Sequence, residues 1–300
     1  MSATPRAGLL YGVGAYGLWG LFPAFFPLLK PAGAFEVLAH RIVWSFLSMA
    51  VVIVAVRRVG ALKAITARVW LLLACASALI AINWVVYVYA VNNGHVVDAA
   101  LGYFINPLVS VSLGMLIFRE RLNRAQLLAL AIAVVAVVVL TLQVGSPPIV
   151  GLALALSFGL YGAVKKVVPT DPSMSVGIEA ALAAPLAIGY IVWLQVTGQG
   201  TFTNHGSGHI VLMILSGPIT ALPLLLYAAA AQRVPLVTLG LVFYMTPMMQ
   251  LSWGVLVGHE PMPAARWLGF VLIWLALAVF SADALWRARV DRRAFQSSSR

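Results

Sequence analysis

Between Glu179 and Arg233 the chain carries no aspartate, glutamate, lysine or arginine. Similar charge-free stretches fill 7 to 29, 69 to 97, 99 to 118, 125 to 164 and 234 to 259. A helix needs roughly 20 such residues to cross a bilayer, so these runs predict a polytopic membrane protein. Composition agrees: 62% of residues are hydrophobic and only 9% charged, whereas an ordinary soluble domain is about 25% charged. A soluble globule could not cover so much apolar side chain. The lipid core offers no water to backbone amides, so every span is expected to be helical. The first run is too long for a signal-peptide core and reads as a retained helix. Cys75 lies within an apolar run and has no second cysteine to pair with.

Glycine, proline and asparagine breaks divide the runs into ten expected helices: 7 to 26, 33 to 56, 69 to 90, 96 to 118, 125 to 143, 148 to 166, 176 to 197, 209 to 231, 235 to 257 and 264 to 286. With the N-terminus in the cytoplasm, the cytoplasmic segments hold 16 of the 19 basic residues, leaving Lys30, Arg41 and Arg266 outside. This is the positive-inside pattern, and it places both termini in the cytoplasm. The net charge of +11 is spread over six short segments and forms no continuous stripe, which argues against nucleic acid as a partner.

Residues 103 to 120, YFINPLVSVSLGMLIFRE, are echoed 140 positions later by FYMTPMMQLSWGVLVGHE. The offset aligns Pro107 with Pro247, Gly114 with Gly254, Glu120 with Glu260 and Tyr87 with Tyr227; YGLWG at 16 to 20 likewise resembles FGLYG at 158 to 162. Two copies of a five-helix unit are expected, at 7 to 143 and 148 to 286, with cytoplasmic ends at 1 to 6 and 287 to 300. Five spans is an odd number, so the second copy should enter the membrane inverted. The expected fold class is all-α, with ten transmembrane helices as two inverted five-helix repeats. Many secondary transporters alternate access on this architecture, with the solute held between the halves near the midplane.

HRIVWSF at 40 to 46, YAVNNGH at 89 to 95 and ALGYFINPL at 100 to 108 resemble the RarD branch of the EamA-type permeases, in the drug/metabolite transporter superfamily. The resemblance runs from residue 7 to about 286. It implies a ten-helix inner-membrane permease, in a branch named for chloramphenicol sensitivity, and brings no catalytic motif with it.

Depth along the expected helices sorts the polar residues. At middle depth lie Tyr16, Trp19, Asn83, Trp84, Tyr87, Tyr103, Asn106, Tyr161, Tyr227, Tyr244, Thr246 and Gln250, with Ser157 and Thr220 beside them. An uncharged, aromatic-rich pocket of this kind suits a small amphipathic or aromatic solute. Core packing is the competing reading for each ring, and Trp84 has lipid as a further option. Asn83 and Asn106 need hydrogen-bond partners, either across a wet cavity or between helices. Charges fall near helix ends, where Glu36, His40 and Arg41 form an expected outer cluster and Glu179 with Lys165 or Lys166 an inner one. Each group reads either as a gate or as static interfacial anchoring; Asp98, Glu36 and Glu179 are the carboxylates available for proton coupling. Pro107 and Pro247 should kink their helices, with Asn106 and Thr246 positioned to cap the freed carbonyls.

No H-E-x-x-H, G-x-S-x-G or phosphate-binding loop occurs, so no enzyme, cofactor, metal or direct ATP use is expected. HGSGH at 205 to 209 reads as a flexible outer loop. The expectation is a cytoplasmic-membrane secondary transporter of small amphipathic or aromatic metabolites or drugs. A non-transporting scaffold or receptor is the alternative. The partners are the lipid bilayer and a small-molecule solute; solute identity, direction, coupling ion and oligomeric state stay open, a homodimer included.

Overall fold

A computed structural model describes residues 5–55, 65–119, 121–144, 147–170, 172–231, 233, 239 and 242–298 of the chain. Glu120, Arg57, Arg58, Lys63, Arg300 and the start of the expected 235 to 257 helix lie outside the described residues.

The described chain is all helix and connection. In order it forms α1 (Pro5–Gly20), α2 (Phe22–Phe25), a 3-10 turn (Phe26–Leu29), α3 (Ala34–Ala55), α4 (Ala67–Asn92), α5 (Val96–Phe118), α6 (Arg124–Val144), α7 (Ile149–Val167), α8 (Pro172–Val196), α9 (Gly206–Ala231), α10 (Met245–Leu256) and α11 (Ala264–Ser298). Eight of these are long and apolar enough to cross a membrane, and the bent α1–α2 pair makes a ninth if counted as one span. Four boundaries among the described residues differ from the sequence expectation by three residues or more. α8 begins at Pro172 and not at 176, and α9 begins at Gly206 and not at 209, so HGSGH from Gly206 onward is helix and not the expected flexible loop. The first helix does not run on to residue 26 but bends by 40° at Leu21, because Pro23 and Pro27 lack amide hydrogens that an uninterrupted helix would need. The last helix does not stop at 286 but continues to Ser298, where arginine, alanine and glutamine favour helix in water as well as in lipid.

Polarity is distributed inside out. Leu142, Leu186 and Val196 stand out from the surface, while Glu36, Arg41, Asn83, Glu179 and Gln250 are buried. Such a perimeter is solvated by lipid, and buried polar groups must then find partners within the bundle.

The packing list has an internal order. α1 packs on α9 and α10 as α7 packs on α4 and α5; α3 packs on α8 and α9 as α8 packs on α3 and α4; α5 pairs with α10 and α6 with α11. Exchanging α1, α3, α4, α5 and α6 for α7, α8, α9, α10 and α11 carries each of these main contacts onto another of them, while the smaller α4–α5, α5–α6 and α5–α11 contacts have no counterpart of similar extent among the described residues. Directions follow the same exchange. α5 runs alongside α7, with Gly102 near Gly151 and Val109 near Gly159, just as α1 runs alongside α10, where Tyr16 meets Thr246 and Trp19 meets Gln250.

Small residues permit the tightest crossings. A methyl added at Gly102 would sit 2.5 Å from the Gly151 carbonyl oxygen, and one added at Gly217 would sit 2.2 Å from the carbonyl carbon of Trp44. The second crossing brings α3 against α9, where Ser45 donates to the Gly217 carbonyl and Arg41 reaches Thr220.

Candidate functional site

A cavity of about 850 Å³ opens between the helices, inside the range of roughly 300–1,000 Å³ typical of small-molecule sites. All twelve residues read as solute contacts line it: Tyr16, Trp19, Asn83, Trp84, Tyr87, Tyr103, Asn106, Tyr161, Tyr227, Tyr244, Thr246 and Gln250. Of the residues read as gating or coupling groups, Arg41, Lys165, Glu179 and Pro107 also line it, whereas Glu36, His40, Asp98 and Pro247 do not.

Rings dominate the walls. Tyr16 contacts Trp19, Tyr227 and Phe243 with ring centroids 5.5, 6.0 and 5.6 Å away, and Tyr87 contacts Tyr103 at 5.7 Å. Offset and edge contacts of this kind add order to apolar burial. The polar lining residues mostly tie helices together as well as facing the space. Asn83 donates to the Leu154 carbonyl and to Ser157 Oγ, both at 3.0 Å, so it clamps α4 to α7. Gln250 Nε2 donates to the Trp19 carbonyl at 3.3 Å. Thr246 Oγ1 donates to the Tyr16 carbonyl at 2.8 Å on a neighbouring helix, rather than capping a carbonyl freed by Pro247. Pro247 itself falls in the first turn of α10, a position where the missing amide hydrogen costs nothing, while Pro107 lies inside an unbroken α5. Four lining side chains keep a shielded polar atom without a partner among the described residues: Arg41 Nη1, Tyr87 OH, Asn106 Oδ1 and Gln250 Oε1.

The pocket is not uncharged, contrary to the expectation from depth. Arg41 is 2% exposed and turns inward. Its guanidinium lies 4.3 Å from the Trp84 ring, 5.0 Å from Phe26 and 5.4 Å from Phe22, and Nε donates to Thr220 Oγ1 at 2.9 Å. Sequence locates the backbone of Arg41 near a helix end; it does not say that residues 41, 45 and 49 share the cavity-facing side of α3.

The expected outer cluster comes apart. Among the described residues Glu36 and Arg41 form no ion pair; instead Glu36 Oε1 accepts the Thr201 backbone N–H at 2.7 Å. His40 stacks on Phe202 at 4.5 Å, and Thr201 Oγ1 lies 3.0 Å from His209 Nε2. Segment 197–205 is thereby held over that end of the bundle. At the other end Lys165 Nζ meets Glu179 Oε1 at 2.7 Å, and Lys165 also donates to Ser175 Oγ. Ser175 and Tyr161 donate to the same carboxylate at 2.7 and 3.1 Å. The lining extends past this knot to Val168, Thr170, Phe280 and Ser281, and takes no residue from segment 197–205.

Asp98 lies elsewhere, with Oδ2 3.1 Å from His95 Nδ1 and Oδ1 3.6 Å from Arg266. Three positions with long-range contacts escaped the sequence reading. Glu260, the end of the second repeated line, accepts the Val96 and Val97 N–H groups at 2.6 and 2.9 Å and so caps α5. Phe202 covers His40; its only signal is a lone aromatic ring in a polar loop. Phe22 escaped it as well: the sequence reading ran the first helix on to residue 26, whereas the bend at Leu21 sets the Phe22 ring 5.4 Å from the Arg41 guanidinium.

These features define a multi-pass membrane protein with a ring-lined cavity between its helices. The EamA-like transporter family profile matches residues 6–142 and again 146–282, and the chain belongs to that family. Its affinity lies with the RarD branch. It is 48% identical over 296 residues to Protein RarD of Streptomyces exfoliatus, covering 98% of this chain and 94% of that one. It is 41% identical over 287 residues to the uncharacterized transporter YojE of Bacillus subtilis, covering 93% and 95%. A solved crystal structure superposes with a TM-score of 0.60 at 17% identity, over 92% of this chain and 97% of its own, a likeness of fold alone.

Proposed function

We propose that the chain is a cytoplasmic-membrane secondary transporter whose two inverted five-helix halves alternately expose the aromatic cavity, moving small amphipathic or aromatic metabolites or drugs. One observation carries this reading. Segment 197–205, tied to Glu36 through Thr201, contributes nothing to the cavity lining, which continues to Thr170 and Phe280 at the other end; we infer that the first end is closed and the second open, as expected of a carrier resting with one side open. The basic-residue count assigns that open side to the cytoplasm. The double family match and the exchange of the main packing contacts support the inverted halves.

The outer closure is then the Glu36–Thr201 bond with the His40–Phe202 stack, and opening outward requires both to part. Of the three carboxylates considered for proton coupling, Glu179 alone reaches the cavity, and coupling is assigned to it.

A cross-link tests the mechanism. In a Cys75→Ala background, oxidising Glu36→Cys against Thr201→Cys should stop flux in proteoliposomes, and reduction should restore it. Flux that continues with the cross-link in place excludes outward opening at this end.

A further inference from the structure

We propose that the transported solute is a monoanion, a carboxylate on an aromatic or apolar body, and that Arg41 is the residue that binds its head. The proposal rests on the transporter reading above and narrows its substrate class.

A guanidinium stays ionised under all ordinary conditions. Arg41 is nonetheless buried, and no described carboxylate pairs with it. Its Nε is satisfied by Thr220, but Nη1 has no partner among the described residues. The rings of Trp84, Phe26 and Phe22 offset part of the desolvation through their π faces. Rings supply no acceptor to the N–H groups, however, and an unpaired buried charge is strongly unfavourable. If Arg41 served only to hold helices together, a carboxylate or carbonyl would be expected at Nη1.

Charge accounting sets the valence. The described cavity lining contains Arg41, Lys165 and Glu179 as its charged groups, and Lys165 is already neutralised by Glu179 at 2.7 Å. While Glu179 is ionised, one positive charge is left, which one negative charge balances. A dianion would overshoot, and a cation would meet like charge. A carboxylate also matches the planar fork of a guanidinium. The Tyr87 hydroxyl, buried without a partner, belongs to the same ring cluster, its ring 5.9 Å from Phe26 and 6.5 Å from Phe22; it is a second donor to the head group. The remaining wall of tyrosine and tryptophan rings receives the apolar body. The solute in this account is amphipathic in a specific sense: charged at one end, aromatic or aliphatic elsewhere.

The test uses the full chain in nanodiscs of zwitterionic lipid, so that headgroups carry no net charge. Melting temperature is measured against a panel of aromatic and alkyl monocarboxylates, each paired with its neutral primary amide. Chloride and inorganic phosphate at matched ionic strength serve as anion controls. At least one acid should bind about tenfold or more tightly than its amide. Arg41→Gln should erase that preference, while the ligand-free variant melts no lower than the parent because a buried charge has been removed. Tyr87→Phe should reduce the preference by roughly threefold to tenfold. Acids and amides that behave alike throughout the panel, silence included, overturn the proposal, as does protection by chloride or phosphate equal to that of the acids. A ligand-free Arg41→Gln protein that melts markedly lower also overturns it, since Arg41 would then be a structural tie. Flux of a neutral solute that stops on Glu36→Cys–Thr201→Cys cross-linking would leave the carrier mechanism standing while the carboxylate assignment falls.

Discussion

Each end of the bundle buries a glutamate, Glu36 at the Thr201 end and Glu179 at the other, and the two are used differently. At the Thr201 end, Glu36 comes from the first half of the chain and its partner from the second, so in the proposed mechanism the bond spans the line along which the halves would separate. At the other end Lys165 and Glu179 sit on α7 and α8, successive helices of the same half. Their pair braces a wall and does not bar the mouth, and the cavity runs past it to Thr170. A gate is defined by what it joins. Charge and burial alone would rank Lys165–Glu179 as the stronger gate; connectivity makes it the weaker one.

The most severe disruption should come from the brace. Glu179→Leu leaves Lys165 without its counter-charge in a low-dielectric setting, and a loss of about 3 kcal/mol is expected. Lys165→Met combined with Glu179→Leu should recover most of it, as read by thermal or denaturant melting in detergent. A double variant no more stable than the single would mean that Glu179 is held chiefly by Ser175 and Tyr161, and the brace account would fail.

Next in size is Gly217→Ala, which forces the new methyl into the α3 backbone at Trp44. We expect a cost of about 2 kcal/mol and, because α3 carries both Arg41 and the Glu36 latch, weaker solute binding too. Unchanged melting would show that α3 and α9 can move apart freely at this crossing. Glu260→Gln removes the carboxylate charge from the N-terminus of α5 while keeping its shape, at a cost of about 1 kcal/mol; hydrogen exchange at Val96 and Val97 should rise, and protection that persists would count against the cap.

The smallest stability effects belong to the latch. Glu36→Gln and Phe202→Ala should each cost about 1 kcal/mol or less, yet both should speed labelling of cysteines placed in segment 197–205 and change the flux rate. A latch variant that alters neither would show that the Thr201 end is closed by helix packing alone, and the contrast between the two ends would dissolve.

Much of the site could be read in advance because depth in a membrane helix is nearly a linear coordinate. Counting from the charged ends places Asn83, Asn106 and Gln250 at mid-bilayer, and an amide at that depth must face protein or water. That argument holds for side chains that extend only a short way from their Cα atoms. It fails for Arg41, whose long arm separates the charge from its backbone by more than a helical turn and lets it reach the cavity. It fails also for Thr201 and Phe202, which lie in a connection with no periodicity from which to infer a facing. Glu260 was marked by the repeat, but its role depends on the Val96 amide arriving beside it from far away in the chain.

What the sequence determined by itself was the solvent and the plan: lipid around the bundle, helices through it, two related halves and a ring-lined interior. Those properties follow from hydropathy and periodicity, which are local sums along the chain. The Lys165–Glu179 pair, 14 positions apart on successive helices, was within reach of the sequence; the tertiary structure alone decided the distant meetings. Hydrogen bonding and capping act over a few ångströms in space, and Glu36 with Thr201, Arg41 with Thr220 and Glu260 with Val96 were brought together from separations of more than 160 positions by helix packing that no local pattern encodes.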